Sequence, residues 1–85
     1  MSELPEHRIK RLRMRSMRRG IKEMDIILSA YADAHLEQMS EPDIALYDDL
    51  LNENDQDLYQ WVTSQQAAPD KYSSLIDKIA KTFQT

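Results

Sequence analysis

The side chains of this 85-residue sequence that could do chemistry are two histidines, fifteen carboxylates and eleven Lys/Arg; cysteine is absent. Thiolate nucleophiles, disulfides and sulfur-rich metal sites are therefore excluded, and the composition fits a reducing compartment. His7 and His35 fall on different predicted helices without a neighbouring pattern of metal ligands, and His35 lies on an apolar face where a half-buried packing role suits it. One glycine is too few for a G-x-S-x-G elbow, a P-loop or a dinucleotide fingerprint. The acidic stretch from Asn52 to Asp57 lacks the internal glycine and closing glutamate of a calcium loop, and helix capping explains it better. Asp48 and Asp49 are adjacent and so point in different directions on a helix, a poor geometry for acid–base work on one atom. This inventory argues against an enzyme and leaves binding.

Charge is the more informative property. The net value is −4, but Met1 to Lys22 carries eight Lys/Arg against two Glu, a net +6. Glu23 to Asp70 holds twelve Asp/Glu and neither Lys nor Arg, a net −12, and Lys71 to Thr85 returns to +2. The sign changes between Lys22 and Glu23. Arg8, Lys10, Arg11, Arg13, Arg15, Arg18, Arg19 and Lys22 could neutralise phosphates, which would make the chain a small nucleic-acid-binding regulator. The charges are spread around the predicted helix, however, and the acidic body would repel a duplex. Ile9, Leu12, Met14 and Met17 make a weak face for membrane insertion. A protein partner, or simple neutralisation by the chain's own acidic body, fits the same composition, which does not choose between them.

The elements that must position these groups are helical. Pro5 to Arg19 reads as a first helix, with Gly20 in the left-handed position that ends it. Ile21 to Met39 reads as a second, with Met24, Ile27, Leu28, Tyr31, His35 and Met39 on one face. Ser40 is a natural N-cap for a third helix to about Asn52, burying Ile44, Tyr47, Leu50 and Leu51. Asp55 reads as an N-cap for a short fourth helix through about Gln65, with Leu58, Trp61 and Val62 inward. Tyr72, Leu75, Ile76, Ile79, Ala80 and Phe83 give a fifth its apolar stripe. The expectation is an all-α, compact single-domain bundle of about five short helices over residues 1–85, with residues 1–7 a flexible end. No apolar run approaches the ~20 residues needed to span a bilayer.

The sign change lies inside Arg18-Arg19-Gly20-Ile21-Lys22-Glu23-Met24-Asp25. Two arginines, a tight turn and two acids could be an ordinary helix junction closed by an Arg19–Glu23 ion pair, or a mixed-charge knob that enters a partner's pocket. Arg19-Gly20-x-x-Glu23, with Tyr31, Tyr47, Leu50-Leu51 and the block Asp57-Leu58-Tyr59-x-Trp61-Val62 downstream, resembles the SdhE-type succinate dehydrogenase assembly factors over roughly Arg8 to Ile79. Met24, where leucine is common, and Pro42, at the third helix start, are mild departures.

The resemblance implies a non-catalytic assembly factor that binds the flavoprotein subunit of succinate dehydrogenase, and in some bacteria that of fumarate reductase. It implies promotion of covalent FAD attachment, a client histidine reacting at the 8α-methyl carbon, by holding an attachment-competent client conformation. No cofactor or metal of its own is expected, and neither nucleic acid nor membrane insertion. Carried over residue by residue, the partner-binding positions are Arg19, Gly20 and Glu23, with Arg18 and Asp25 flanking them. Met1 to Lys22 is Arg-rich like a transit peptide but contains Glu3 and Glu6 and runs directly into the motif, so a bacterial cytoplasm is the expected setting.

Overall fold

Apolar residues at three- and four-residue spacing recur along the chain, and each such stretch is a helix in the computed structural model, which describes residues 4–84. The elements are α1 (Pro5–Arg15), α2 (Lys22–His35), a 3₁₀ turn (Leu36–Gln38), α3 (Glu41–Leu50), α4 (Asp55–Val62) and α5 (Asp70–Gln84). No strand occurs among the described residues, and the all-α bundle expected from periodicity is what forms. Of the expected flexible end, residues 1–3 lie outside the described residues, while Pro5, Glu6 and His7 form the first turn of α1.

Helix α2 is the central element, packing against α1, α4 and α5. Its Met24, Ile27, Leu28, Tyr31 and Ala32 are buried, and they meet Leu12, Tyr47, Leu50, Leu58, Tyr72, Leu75, Ile76 and Ile79 in one contiguous core. The radius of gyration of 12.2 Å is close to the ~12 Å expected of a compact chain this long. Trp61 is half-buried, its ring 6.0 Å from that of Tyr72. His35 takes the packing role expected, with its ring 4.7 Å from that of Tyr31. Phe83 departs from expectation: it continues the α5 stripe, but in the last turn the stripe outruns the core and the ring is half exposed.

Helix ends differ from the sequence reading for local reasons. Helix α1 stops at Arg15 rather than Arg19, and Arg18, not Gly20, takes the left-handed conformation, with φ 55°. That costs a non-glycine residue about 1 kcal/mol, offset by a hydrogen bond from the Arg18 N–H to Asp25 Oδ2 at 2.9 Å. Helix α2 unwinds at His35 into the 3₁₀ turn, which keeps Leu36 in the core while the chain swings out to Ser40. Ser40 caps α3 as expected, accepting from the Asp43 N–H. The cap of α4 is Asn54, which accepts from the Gln56 N–H at 2.8 Å, so Asp55 is the first helical residue rather than the cap. Helix α4 ends at Val62 because Ser64 turns left-handed, φ 64°, directing the Gln65 N–H to the Gln60 carbonyl at 2.8 Å.

One polar group penetrates the core. Ser16, at the end of α1, is fully buried; its Oγ donates to the Leu12 carbonyl at 2.8 Å and lies 2.6 Å from Tyr47 Oη. Tyr47 Oη also donates to the Leu28 carbonyl at 3.4 Å, and either hydroxyl can be the donor between Ser16 and Tyr47. Burial pushes the Tyr47 phenol up from 10.0 to about 12, with the Ser16 bond and the Arg19 charge opposing the rise. Tyr47→Phe is expected to lower stability in urea by about 1 kcal/mol. Because the folded state holds this proton more tightly, wild-type stability should also fall as pH rises from 10.0 through about 12. The variant should lack that part of the alkaline loss; an unchanged alkaline limb would contradict the assignment.

Candidate functional site

The junction between α1 and α2 is built around a carboxylate from elsewhere in the chain. Asp55, in the first turn of α4, accepts from Arg19 Nε at 2.7 Å through Oδ1 and from the Gly20 N–H at 2.6 Å through Oδ2. Arg19 Nη1 donates to the carbonyls of Arg15 and Leu51 at 3.0 and 3.2 Å, and Nη2 reaches the Glu53 carbonyl at 3.5 Å. The two side chains are only 11% and 17% exposed. Arg19 thus staples the end of α1 to the α3–α4 turn, and charge-assisted hydrogen bonds of this kind are worth about 1.5–3 kcal/mol. The ion pair from Arg19 to Glu23 that a simple junction would use does not form.

The five motif positions therefore face different ways. Arg19 turns inward, while Gly20 and Glu23 are exposed, and Glu23 has no hydrogen bond or ion pair among the described residues. The Arg18 side chain is exposed, whereas Asp25 is half-buried and bonded to the Arg18 N–H and to Ser29 Oγ. Gly20 does not have positive φ, so the left-handed role read from sequence is not why glycine stands there. A Cβ at this position would lie 3.1 Å from Asp55 Oδ2, and it is the close approach of the carboxylate that favours glycine. Beside it, Gly20, Ile21, Glu53, Asn54, Asp55 and Gln56 line an open depression. Met14, Met17 and Ile26 are each at least half exposed.

Most of the basic arm is neutralised by the same molecule. Arg8 pairs with Glu41. Arg11 makes a two-pronged contact to Asp48 at 2.9 and 3.2 Å, and Arg15 reaches Asp48 at 2.9 Å and Asn52 at 2.7 Å. Arg13 bonds Glu37 at 3.4 Å and stands 3.7 Å from Asp33. Of the eight basic residues, only Lys10, Arg18 and Lys22 lack an ion pair among the described residues. The nucleic-acid alternative finds no support in this arrangement, because phosphates would have to displace internal carboxylates. Among the described residues there is also no cluster able to hold a metal ion, and no helix is long and apolar enough to cross a membrane.

Sequence reasoning misses Asp55 as a partner of the motif, since an aspartate opening a helix already has a local explanation in the helix dipole. Its second role emerges only when the fold closes the thirty-odd residues that separate it from Arg19. Asp48, by sequence only an unsuitable acid, is the other such residue. The Arg11 bond, aided by the charges of Arg11, Arg15 and Arg8, holds its carboxyl below the usual 3.8, against the opposing effect of burial. A depressed folded-state pKa contributes stability that is fully present above 3.8 and is lost as pH falls through the folded value. Asp48→Asn is expected to cost about 1 kcal/mol at neutral pH, given the partial exposure of the pair, and to flatten the loss of stability below pH 3.8. Acid titrations followed by circular dichroism would show this; parallel curves for the two proteins would contradict it.

Comparison with known proteins bears on the same segment. Residues 10–83 match the family described as flavinator of succinate dehydrogenase. A mitochondrial succinate dehydrogenase assembly factor 2-B of Drosophila mojavensis is 40% identical over 78 residues, covering 89% of this chain and 50% of the relative. Succinate dehydrogenase assembly factor 2 of Danio rerio is 41% identical over 76 residues, 87% of this chain and 48% of the relative. That of Saccharomyces cerevisiae is 40% identical over 77 residues, with 87% and 46% covered. The chain thus spans about half the length of these curated relatives. All three are named as mitochondrial proteins of eukaryotes, which overturns the bacterial cytoplasmic setting expected from the sequence. With the match running from the middle of α1 to the last turn of α5, this chain belongs to the flavinator of succinate dehydrogenase family.

Proposed function

We propose that this protein is a non-catalytic assembly factor that binds the flavoprotein subunit of succinate dehydrogenase and promotes covalent attachment of FAD to it. The observation that carries this reading is the family match across residues 10–83, which includes the whole α1–α2 junction. The exposed, unpaired Glu23 beside the exposed Gly20 supports a contact role for that junction. The chemistry belongs to the client, where a histidine joins the flavin, and no cofactor is assigned to the factor itself. Its contribution is differential affinity: binding one client arrangement more tightly than others raises that arrangement's population by the ratio of the affinities. The related fumarate reductase flavoprotein is a second client of the same chemistry.

Within this reading Arg18, Gly20 and Glu23 contact the client, Arg19 holds the junction in shape, and Asp25 fixes the Arg18 backbone. Gly20 leaves room for a partner's backbone to approach, and Glu23 accepts from a partner's N–H or guanidinium. Expressing the flavoprotein with and without this protein, and reading covalent flavin fluorescence after denaturing electrophoresis, tests the function. A signal that depends on the factor is expected; equal signals with a client that requires assistance would overturn the proposal. Gly20→Arg is expected to abolish client capture while leaving helical circular dichroism largely intact. Capture at wild-type strength would remove the junction from the interface.

A further inference from the structure

Asp55 belongs to none of the positions that the motif brings into the site, yet its carboxylate makes the two shortest bonds of the junction, 2.7 Å to Arg19 Nε and 2.6 Å to the Gly20 N–H. We infer that Asp55 is a positioning residue of the partner-binding junction, clasping Arg19 and the Gly20 backbone so that Gly20 and Glu23 are presented in a fixed geometry. This role rests on the proposed function.

Three observations converge on it. First, the clasp crosses the fold: α4 supplies the carboxylate and the α1–α2 connection supplies both donors. Second, the connection is otherwise thinly held. Ile21 caps α2 without a side-chain hydrogen bond, Arg18 is left-handed, and Gly20 contributes no side chain. Besides the Arg19 bonds to the Arg15, Leu51 and Glu53 carbonyls, its other side-chain ties are Asp25 to the Arg18 N–H and Ser29 Oγ to the Ser16 carbonyl. Third, Asp55 sits in the first turn of an eight-residue helix, where an acidic side chain suits the helix dipole. Its carboxylate is also the group that a Cβ at position 20 would press against. The inward Arg19, the small Gly20 and the distant Asp55 are thus one device, and the outward Glu23 is what it aims.

The test compares wild type, Asp55→Asn and Ile79→Val, the last a core change on α5 that lowers stability without touching the clasp. Asp55→Asn is nearly isosteric and keeps an acceptor but loses the charge shared by the two donors. Three readouts are taken: binding to the apo flavoprotein subunit by titration calorimetry, thermal unfolding, and the amide proton shift of Gly20 by NMR. Expected are a downfield Gly20 amide in wild type that moves upfield in Asp55→Asn, and a loss of affinity of about tenfold in that variant at a temperature where it is folded. Ile79→Val is expected to bind as wild type does although it melts lower. If Asp55→Asn binds as tightly as wild type, or if Ile79→Val loses affinity to the same degree, Asp55 is merely structural and the inference falls. If wild type itself fails to bind, the proposed function falls and takes the positioning role with it, while the Gly20 shift still shows whether the clasp exists. Should Asp55→Asn prove unfolded, Arg19→Lys, which keeps the charge and loses the planar fork, replaces it in the same comparison: a tenfold loss of affinity supports the positioning role, and wild-type affinity overturns it.

Discussion

A single carboxylate closes the connection between α1 and α2. The chain must reverse direction between α1 and α2 through a connection that holds a left-handed arginine and a glycine, and α2 opens on Ile21 without a side-chain cap. Asp55 supplies what the local sequence lacks, binding the Gly20 N–H and Arg19 together from the start of α4. The guanidinium then passes the constraint on to the Arg15 and Leu51 carbonyls, so that α1, the α3–α4 turn and α4 share one hydrogen-bonded centre. Buried Ser16 and Tyr47, hydrogen-bonded to each other, make the core-facing side of the same corner, one turn away. The position of Glu23, on the first turn of α2, follows from how this corner is closed.

The charge asymmetry has a structural use before it has a functional one. The +6 segment and the −12 segment face each other in the fold, with the arginines of α1 laid along Glu41, Asp48 and Asn52 of α3 and its C-terminal loop, and Arg13 directed to Asp33 and Glu37. Each half-exposed pair contributes little by itself. Asp48, gripped by Arg11 and Arg15, ties α1 to α3. Left exposed and without an ion pair among the described residues of these two segments are bases such as Arg18 and Lys22 and acids such as Glu23, Asp57 and Asp70, and the acids of the larger segment remain in excess.

Much of the fold is legible in the sequence because it rests on periodicity. Leu58 and Val62, or Tyr72, Leu75, Ile76 and Ile79, are a helical stripe in the sequence and a buried face in the structure. Ser40 likewise announces α3, since a cap bonds within three residues of itself. The errors arise where the deciding contact is distant. Gly20 looks like a helix terminator because it follows two arginines, whereas its real neighbour is Asp55, thirty-five positions on. Arg19 and Glu23 look like a pair because they are four apart, but Asp55 and three carbonyls take the guanidinium first. The motif is therefore visible as a string of residues, while the inward and outward division within it depends on tertiary contacts. The cellular setting is misread for a different reason: a basic N-terminal helix folded onto its own acids has the composition of several unrelated things.

Under the proposed function, the junction with its unpaired Glu23 acts on the client through shape and charge. Whether this corner meets the flavoprotein can be read by placing a photo-crosslinking amino acid at Glu23 and, in a separate protein, at the exposed Lys78 of α5. After irradiation with the apo flavoprotein subunit, a contact through the corner gives a covalent adduct from position 23 and none from position 78. An adduct from position 78 alone would place the interface elsewhere and contradict the proposed role of the junction.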